Sequence, residues 1–179
     1  MTGASGQADA ARTRRRPVIG VMGPGESATA LDVEHARRLG ELIAGNGWIT
    51  LTGGRAIGVM DAALQGARSA GGLTVGVLPG RSGDEASASA DLCVVTGLGE
   101  GRNLVNVLTS DVVVVCGLSA GTASEVALAL TAGRHVVLVA AAPGTIRHWT
   151  DLGGPLVHEA DAPAEAVARV RELLGRGRD

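Results

Sequence analysis

Arg102 and Glu125 are the charged residues whose positions in the sequence best suit them to chemistry. Arg102 follows a glycine-rich turn at the predicted start of a helix, where the helix dipole does not favour a cation, so we expect its guanidinium to bind a ligand. Glu125 follows a second such turn, and a carboxylate there can orient a ribose hydroxyl or stabilise an oxocarbenium-like centre in N-glycoside cleavage. Residues 122–125 also fit a helix capping box, so a structural role for Glu125 is an equal alternative.

Three glycine-rich turns, at residues 23–25, 53–58 and 117–121, each lie between an apolar run and a helical pattern. Right-handed crossovers place the carboxyl ends of parallel strands at one edge of a sheet, so we expect the three turns to converge on one crevice. Amides at the helix starts there favour a phosphate or carboxylate. The residues that we predict to bind this ligand are Gly23, Gly25, Thr52, Gly53, Gly54, Arg55, Gly97, Arg102, Asn103, Leu118, Ser119, Ala120, Gly121 and Thr122.

The elements that must hold these residues alternate between short apolar runs and amphipathic patterns. Residues 112–116 are a continuous β-branched run, which is typical of a strand buried on both faces. The alternation predicts an α/β, Rossmann-like three-layer sandwich, with a mainly parallel sheet of about six or seven strands and helices on both faces. We predict an irregular segment at residues 143–155, where Trp149 either stacks on a ligand ring or shields the edge of the core. A disordered tail over residues 1–16 and a single domain over residues 17–179 complete the prediction.

Composition excludes several classes of function. The formal net charge is -2 and the 16 basic residues, all arginine, are dispersed, so no nucleic-acid partner is expected. No apolar stretch is long enough to span a membrane, and the two cysteines lie in apolar runs, which together predict a reduced, cytoplasmic protein without disulfides. Because the predicted second strand ends in Thr52-Gly53-Gly54 with no acidic residue, an ordinary NAD dehydrogenase is disfavoured. No metal site is predicted, since no metal-ligand spacing joins His35, His135, His148 and His158.

The spacing of these residues resembles a known superfamily. Arg102-Asn103, Ser110-Asp111 and Gly121-Thr122 to Glu125 match the R-K, S-D and P-G-G-x-G-T-x-x-E frame of the lonely-guy-type cytokinin phosphoribohydrolases, once described as lysine decarboxylases. Within that superfamily, residues 20–25, 52–55 with 58–60, and 96–99 followed by 102–103 are more similar to the molybdenum cofactor carrier protein branch. The resemblance implies a Rossmann-like homo-oligomer, a dimer or tetramer, in which the last glycine loop holds the phosphate of a nucleotide or pterin. In the hydrolases the positions of Arg102 and Glu125 are catalytic.

The chain departs from the hydrolase frame at two places. Residues 117–119 read Gly-Leu-Ser in place of P-G-G, and Asn103 replaces the lysine. We therefore favour a protein that binds a phosphorylated small molecule, a molybdenum cofactor carrier that needs no other cofactor. The alternatives are a phosphoribohydrolase that cleaves AMP or a cytokinin riboside monophosphate, and an oligomeric scaffold with a vestigial site. Lysine decarboxylase activity is not expected.

Overall fold

Helices and strands alternate along the computed structural model, which describes residues 15–176. The strands are β1 (Val18–Met22), β2 (Ile49–Thr52), β3 (Thr74–Leu78), β4 (Leu92–Val95), β5 (Val112–Cys116), β6 (His135–Val139) and β7 (Val157–Ala160). The helices are α1 (Ala30–Gly45), α2 (Gly58–Ser69), α3 (Arg102–Thr109), α4 (Ala120–Thr131), α5 (Pro143–Gly153) and α6 (Pro163–Arg176). Short 3-10 turns, Gly99–Gly101 and Gly154–Leu156, precede α3 and β7.

The strands form one parallel sheet in the order β4-β3-β2-β1-β5-β6-β7. The chain builds outward from β1 to β4, crosses back to lay β5 on the other side of β1, and then builds outward to β7. The order therefore reverses between β1 and β5, and all strands end at the same edge. Ligands bind at such a reversal in open α/β sheets.

Two hydrophobic clusters cover the two faces of the sheet. The side chains of β5 alternate between them: Val114 and Cys116 pack with α1, α2 and α6, whereas Val113 and Val115 pack with α3, α4 and α5. Burial on both faces explains why this strand is apolar throughout. The predicted Rossmann-like three-layer sandwich is confirmed, with seven strands among the described residues.

The prediction of an irregular segment at residues 143–155 is wrong, because α5 occupies most of it. Pro143 begins this helix, where its missing amide costs no hydrogen bond, and the backbone leaves the helix at Gly154, which has a φ of 52°. Trp149 is buried in the cluster on the α3–α5 face. Its role is to pack the core rather than to stack on a ligand.

The two ends of the chain lie partly outside the described range. Residues 1–14 of the predicted tail and residues 177–179 of the predicted domain are outside that range. Arg15 and Arg16 are held against the body of the protein: Arg15 Nη1 donates to Asp111 at 3.0 Å and Arg16 Nε donates to the carbonyl of Gly47 at 2.8 Å. Both cysteines are free thiols. Among residues 15–176, no helix has the length and apolar character that a membrane crossing requires.

Helices α1 and α2 touch through their backbones. A Cβ added to Gly40 would overlap the carbonyl oxygen of Ala63, and one added to Gly66 would overlap the carbonyl oxygen of Arg37. This close approach matters for the site because α1 follows the first glycine-rich turn and α2 begins at the last residue of the second. Their packing therefore fixes the separation of those turns.

We expect Gly40→Ala to lower the free energy of unfolding by about 1–3 kcal/mol, because a methyl group must push the two helices apart. Gly45→Ala is the matched control: a Cβ there meets nothing within 4 Å, and the better helix propensity of alanine should leave stability unchanged or raise it by up to about 1 kcal/mol. Urea denaturation of both variants provides the measurement. Equal effects of the two substitutions would contradict the packing described.

Candidate functional site

The three glycine-rich turns lie side by side, because they follow β2, β1 and β5, which are neighbours in the sheet. The amide of Val59 donates to the carbonyl of Pro24 at 3.1 Å and so joins the second turn to the first. A Cβ on Gly23 would overlap the carbonyl oxygen of Cys116 at the end of β5. A Cβ on Gly25 would lie 3.3 Å from Ile57. The convergence expected from the sequence is therefore present in the fold.

Arg102 lies at the start of α3 and is 8% exposed. Its Nη1 atom donates to the carbonyl oxygen of Val77 at 3.1 Å, and its guanidinium fills the space where a side chain on Gly53 would be. The buried Nε atom has no hydrogen-bond partner among the described residues. Burial lowers the pKa of this guanidinium, and the negative charges of Glu125 and Glu100 partly oppose the shift. A buried cation thus lies across the ends of β2 and β3 with one donor unused.

Glu125 lies on α4 and is 6% exposed. Asn106 Nδ2 donates to its Oε1 atom at 2.9 Å. Burial raises the pKa of the Glu125 carboxyl, while the hydrogen bond from Asn106 and the charge of Arg102 oppose the shift. Desolvation therefore disfavours the charged form of Glu125 and makes the buried charge of Arg102 costly, so neighbouring groups or a ligand must stabilise that cation.

The capping-box interpretation of residues 122–125 is wrong, because Ser119 is the residue that caps α4. The Ser119 hydroxyl oxygen accepts from the amide of Thr122 at 3.2 Å and lies 2.9 Å from the hydroxyl oxygen of Thr122. Glu125 consequently lies beyond the cap, one turn into the helix. The amides of Ala120 and Gly121 have no hydrogen-bond acceptor within the helix, because they lie in its first turn. They are available to an anion.

The second glycine-rich turn is held from outside by the loop between β3 and β4. Arg55 Nε lies 3.1 Å from Glu85 Oε2, and the amide of Ser87 donates to the carbonyl of Gly54 at 2.8 Å. Within the turn, Thr52 Oγ1 accepts from the amide of Gly54 at 3.0 Å. Arg55 is thus engaged in an exposed ion pair, whereas the buried Arg102 has an unused donor.

Two of the predicted residues lie at opposite ends of the predicted site, because Gly97 follows β4 and Leu118 follows β5. Gly97 follows β4 at the edge of the sheet, and β3, β2 and β1 separate that strand from β5, a distance of about 19 Å at the usual strand spacing. A Cβ on Gly97 would contact only Arg81. Leu118 is 46% exposed and lies on the rim of the last turn. Asn103, in contrast, is buried beside Arg102 in the first turn of α3.

Asn106 is the site residue that the sequence reasoning missed. It is fully buried, holds Glu125, and leaves its own Oδ1 atom without a partner among the described residues. The signal was present, because Arg102 and Asn106 are four residues apart and therefore share one face of α3. Together the arrangement offers amide and guanidinium donors to an anion, beside a carboxyl group that burial biases towards holding a proton.

Comparisons with known proteins identify the family of this chain. The model of the SLOG cluster4 family matches residues 16–167, and the chain belongs to that family. The structure of the molybdenum cofactor binding protein from Rippkaea orientalis is similar, with 46% identity, a TM-score of 0.88, and coverage of 89% of this chain and 98% of that chain. The molybdenum cofactor carrier protein of Chlamydomonas reinhardtii has 49% identity and a TM-score of 0.86, over 90% of this chain and 99% of that one. The resemblance drawn from the sequence is confirmed.

A relative without a known function extends the comparison to an archaeon. An uncharacterized protein of Archaeoglobus fulgidus is 43% identical over 121 residues, which is 66% of this chain and 76% of that protein.

We expect Glu125→Gln to become more stable relative to the parent protein as the pH rises from 4 to 8. A carboxyl whose pKa is raised by folding binds its proton more tightly in the folded state, so stability is lost from about the unfolded pKa of 4.3 upward. Glutamine keeps an oxygen for Asn106 and cannot ionise. Urea denaturation across the pH range measures the difference, with Glu34→Gln on the exposed side of α1 as the matched control. A difference that stays constant with pH, or that falls, would contradict burial as the dominant influence.

Proposed function

We propose that this chain, a member of the SLOG cluster4 family, binds the molybdenum cofactor through its terminal phosphate and carries it unchanged. The observation that carries the proposal is the buried guanidinium of Arg102, which lies against Gly53 with its Nε donor unused. Buried donors in proteins are normally satisfied, so an unused one beside converging glycine turns supports a site for an anionic ligand there. Similarity to two cofactor-binding proteins of known structure supports the same ligand.

The phosphate would bind between two sets of donors. The amides of Ala120 and Gly121 supply one set together with the positive end of α4, and the Arg102 guanidinium supplies the other. Thr122 lies beside them, and its hydroxyl oxygen is 2.9 Å from the hydroxyl oxygen of Ser119. No covalent step is needed for a carrier, which has only to hold the ligand and exclude water from it.

Hydrolysis of a nucleoside 5'-monophosphate is the second candidate, and Glu125 favours it. Burial raises the pKa of this carboxyl, as a general acid requires, and Arg102 lies close enough to oppose that shift. The Glu125 Oε1 atom is, however, already engaged by Asn106. The substitutions at Asn103, Leu118 and Ser119 also separate the chain from the hydrolase frame, so we rank this function below carriage.

A homo-oligomer, a dimer or tetramer, is part of the proposal. Strand β4 forms an edge of the sheet and is exposed along its whole length, and the apolar side chains exposed there continue onto α3. Edge strands and apolar patches of this kind pair with other chains unless they are covered. The exposed apolar residues of this surface are Leu92, Val94, Val95, Leu98, Leu104 and Leu108.

We expect Arg102→Met to weaken binding of the molybdenum cofactor by about 10- to 100-fold, since hydrogen bonds to charged groups contribute about 1.5–3 kcal/mol. Arg102→Lys should restore only part of the affinity, because an ammonium lacks the planar fork. Anaerobic titration followed by the absorbance of the cofactor measures both. Arg38→Met, an exposed arginine paired with Glu41 on α1, is the matched control. Unchanged affinity in Arg102→Met would refute the proposed phosphate site.

Incubation of the parent protein with AMP separates the carrier from the hydrolase. The carrier proposal expects no free adenine by chromatography. Adenine release that disappears in Glu125→Gln would establish the second candidate instead.

We expect Val94→Lys to reduce the molar mass measured by light scattering from that of a dimer or tetramer to that of one chain, because a charge on β4 opposes edge pairing. Leu152→Lys, an equally drastic change at an exposed leucine of α5 away from β4, should leave the oligomer intact. A parent protein of monomer mass would refute the assembly.

A further inference from the structure

A cavity lies beside the last glycine-rich turn. It has a volume of about 240 Å³ and opens between α1 and the carboxyl ends of β5 and β6. We name it the Asp32 cavity. Leu31, Leu118 and Leu138 supply apolar walls, and Asp32, His35 and Thr145 supply polar side chains. It shares Gly117 and Leu118 with the last glycine-rich turn, but neither Arg102 nor Glu125 lines it.

The Asp32 carboxylate has one oxygen in structural use and one free. Oδ2 accepts from the amide of Thr29 at 2.9 Å and from its hydroxyl at 2.8 Å, which forms the capping box of α1. Oδ1 accepts no hydrogen bond from the residues that the structure describes. A carboxylate has about four acceptor positions, so capping leaves capacity for a ligand.

Gly117 leaves room for this carboxylate. A Cβ there would lie 2.8 Å from each Asp32 oxygen, closer than real Cβ atoms come, and the φ of Gly117 is 72°. A side chain at this position would therefore displace Asp32 and strain the backbone. The turn after β5 thus has two faces, with helix amides towards the anion site and a carboxylate towards the Asp32 cavity.

The opposite wall of the cavity contains a strained residue. Ala140, directly after β6, has a φ of 48° and is the one non-glycine residue among residues 15–176 with a positive φ. Its amide donates to the carbonyl of Ala160 at 2.8 Å, which helps to hold that conformation. Ala141 and Ala142 follow it along the cavity wall, where their small side chains leave the space open. Strain of this kind persists at positions that shape ligand sites.

We propose that the Asp32 cavity binds a flat heterocycle with a 2-amino-4-oxo edge, the edge shared by pterins and guanine. The amino group and the adjoining ring N–H both donate, and the free Oδ1 atom of Asp32 has two acceptor positions for them. Apolar walls suit the faces of the ring, and the volume is below the roughly 300–1,000 Å³ of pockets for drug-sized ligands, so it fits a ring system and not a whole cofactor. The choice of a pterin over guanine rests on the carrier function proposed above. On that basis, the last glycine-rich turn separates the ring site from the phosphate site.

The test compares pterin with lumazine, which has an oxo group in place of the 2-amino group and is otherwise the same ring. We expect the full-length protein to bind pterin at least tenfold more tightly than lumazine by calorimetry. Asp32→Asn should abolish this preference. The asparagine side-chain oxygen can still accept from Thr29 in the capping box. Glu34→Gln removes the same charge from an exposed position two residues away and should leave the preference unchanged.

Thr145→Leu provides an independent variant, since it fills the cavity from the opposite wall without touching the capping box. It should weaken binding of both rings at least tenfold, with the thermal unfolding midpoint as the check on folding. Equal affinities for pterin and lumazine in the parent protein, or a preference that survives Asp32→Asn, would overturn the proposal. Tighter binding of guanosine than of pterin would support the cavity chemistry and overturn the assignment to a pterin.

The outcomes also separate this site from the carrier function. If the molybdenum cofactor binds through Arg102 but Asp32→Asn changes nothing, the ring site is refuted and the carrier stands. If pterin binding depends on Asp32 but the cofactor does not bind, the carrier is refuted and the ring site stands.

Discussion

The burial of the Arg102 guanidinium is the constraint on which the site depends. A buried cation is expensive unless hydrogen bonds and opposite charges surround it. The Val77 carbonyl and the field of Glu125 and Glu100 supply part of that compensation. The bulk of the guanidinium requires that residue 53 have no side chain. The glycine of the second turn is therefore explained by the arginine that lies on it as much as by the turn itself.

The sheet topology explains why the two proposed ligand surfaces flank one loop. Strand order reverses between β1 and β5, so α1 leaves towards one face and α4 towards the other. The turn after β5 is consequently exposed on two sides. Arg102 and the amides of α4 lie on one, and Asp32, at the start of α1, lies on the other. A ligand with an anionic end and a hydrogen-bond-donating ring matches this distribution of charge better than a simple phosphate does.

The hydrogen bond between Glu125 and Asn106 bears on whether the proposed site binds its ligand or also cleaves it. A carboxyl that burial biases towards its protonated form can donate to a ligand oxygen as readily as it can serve as an acid. Asn106 fixes one of its oxygens and so limits its movement. A buried, hydrogen-bonded pair on α3 and α4 suits a protein that holds a ligand, and hydrolysis would need in addition a positioned water and leaving group.

The sequence by itself determined the alternation of strands and helices and the convergence of the three glycine-rich turns at one edge of the sheet. These features follow from local rules, because apolar periodicity and glycine positions act within a few residues. The spacing shared with the family likewise indicated Arg102 and Glu125 as candidate site residues. Only the tertiary structure decided that Ser119 and not Thr122 caps α4, that Asn106 holds Glu125, and that Asp32 lies against Gly117. Each of those contacts depends on where the ends of strands and helices meet in space. The positions of those ends are set by the order of strands in the sheet and by helix packing, which no local sequence pattern specifies.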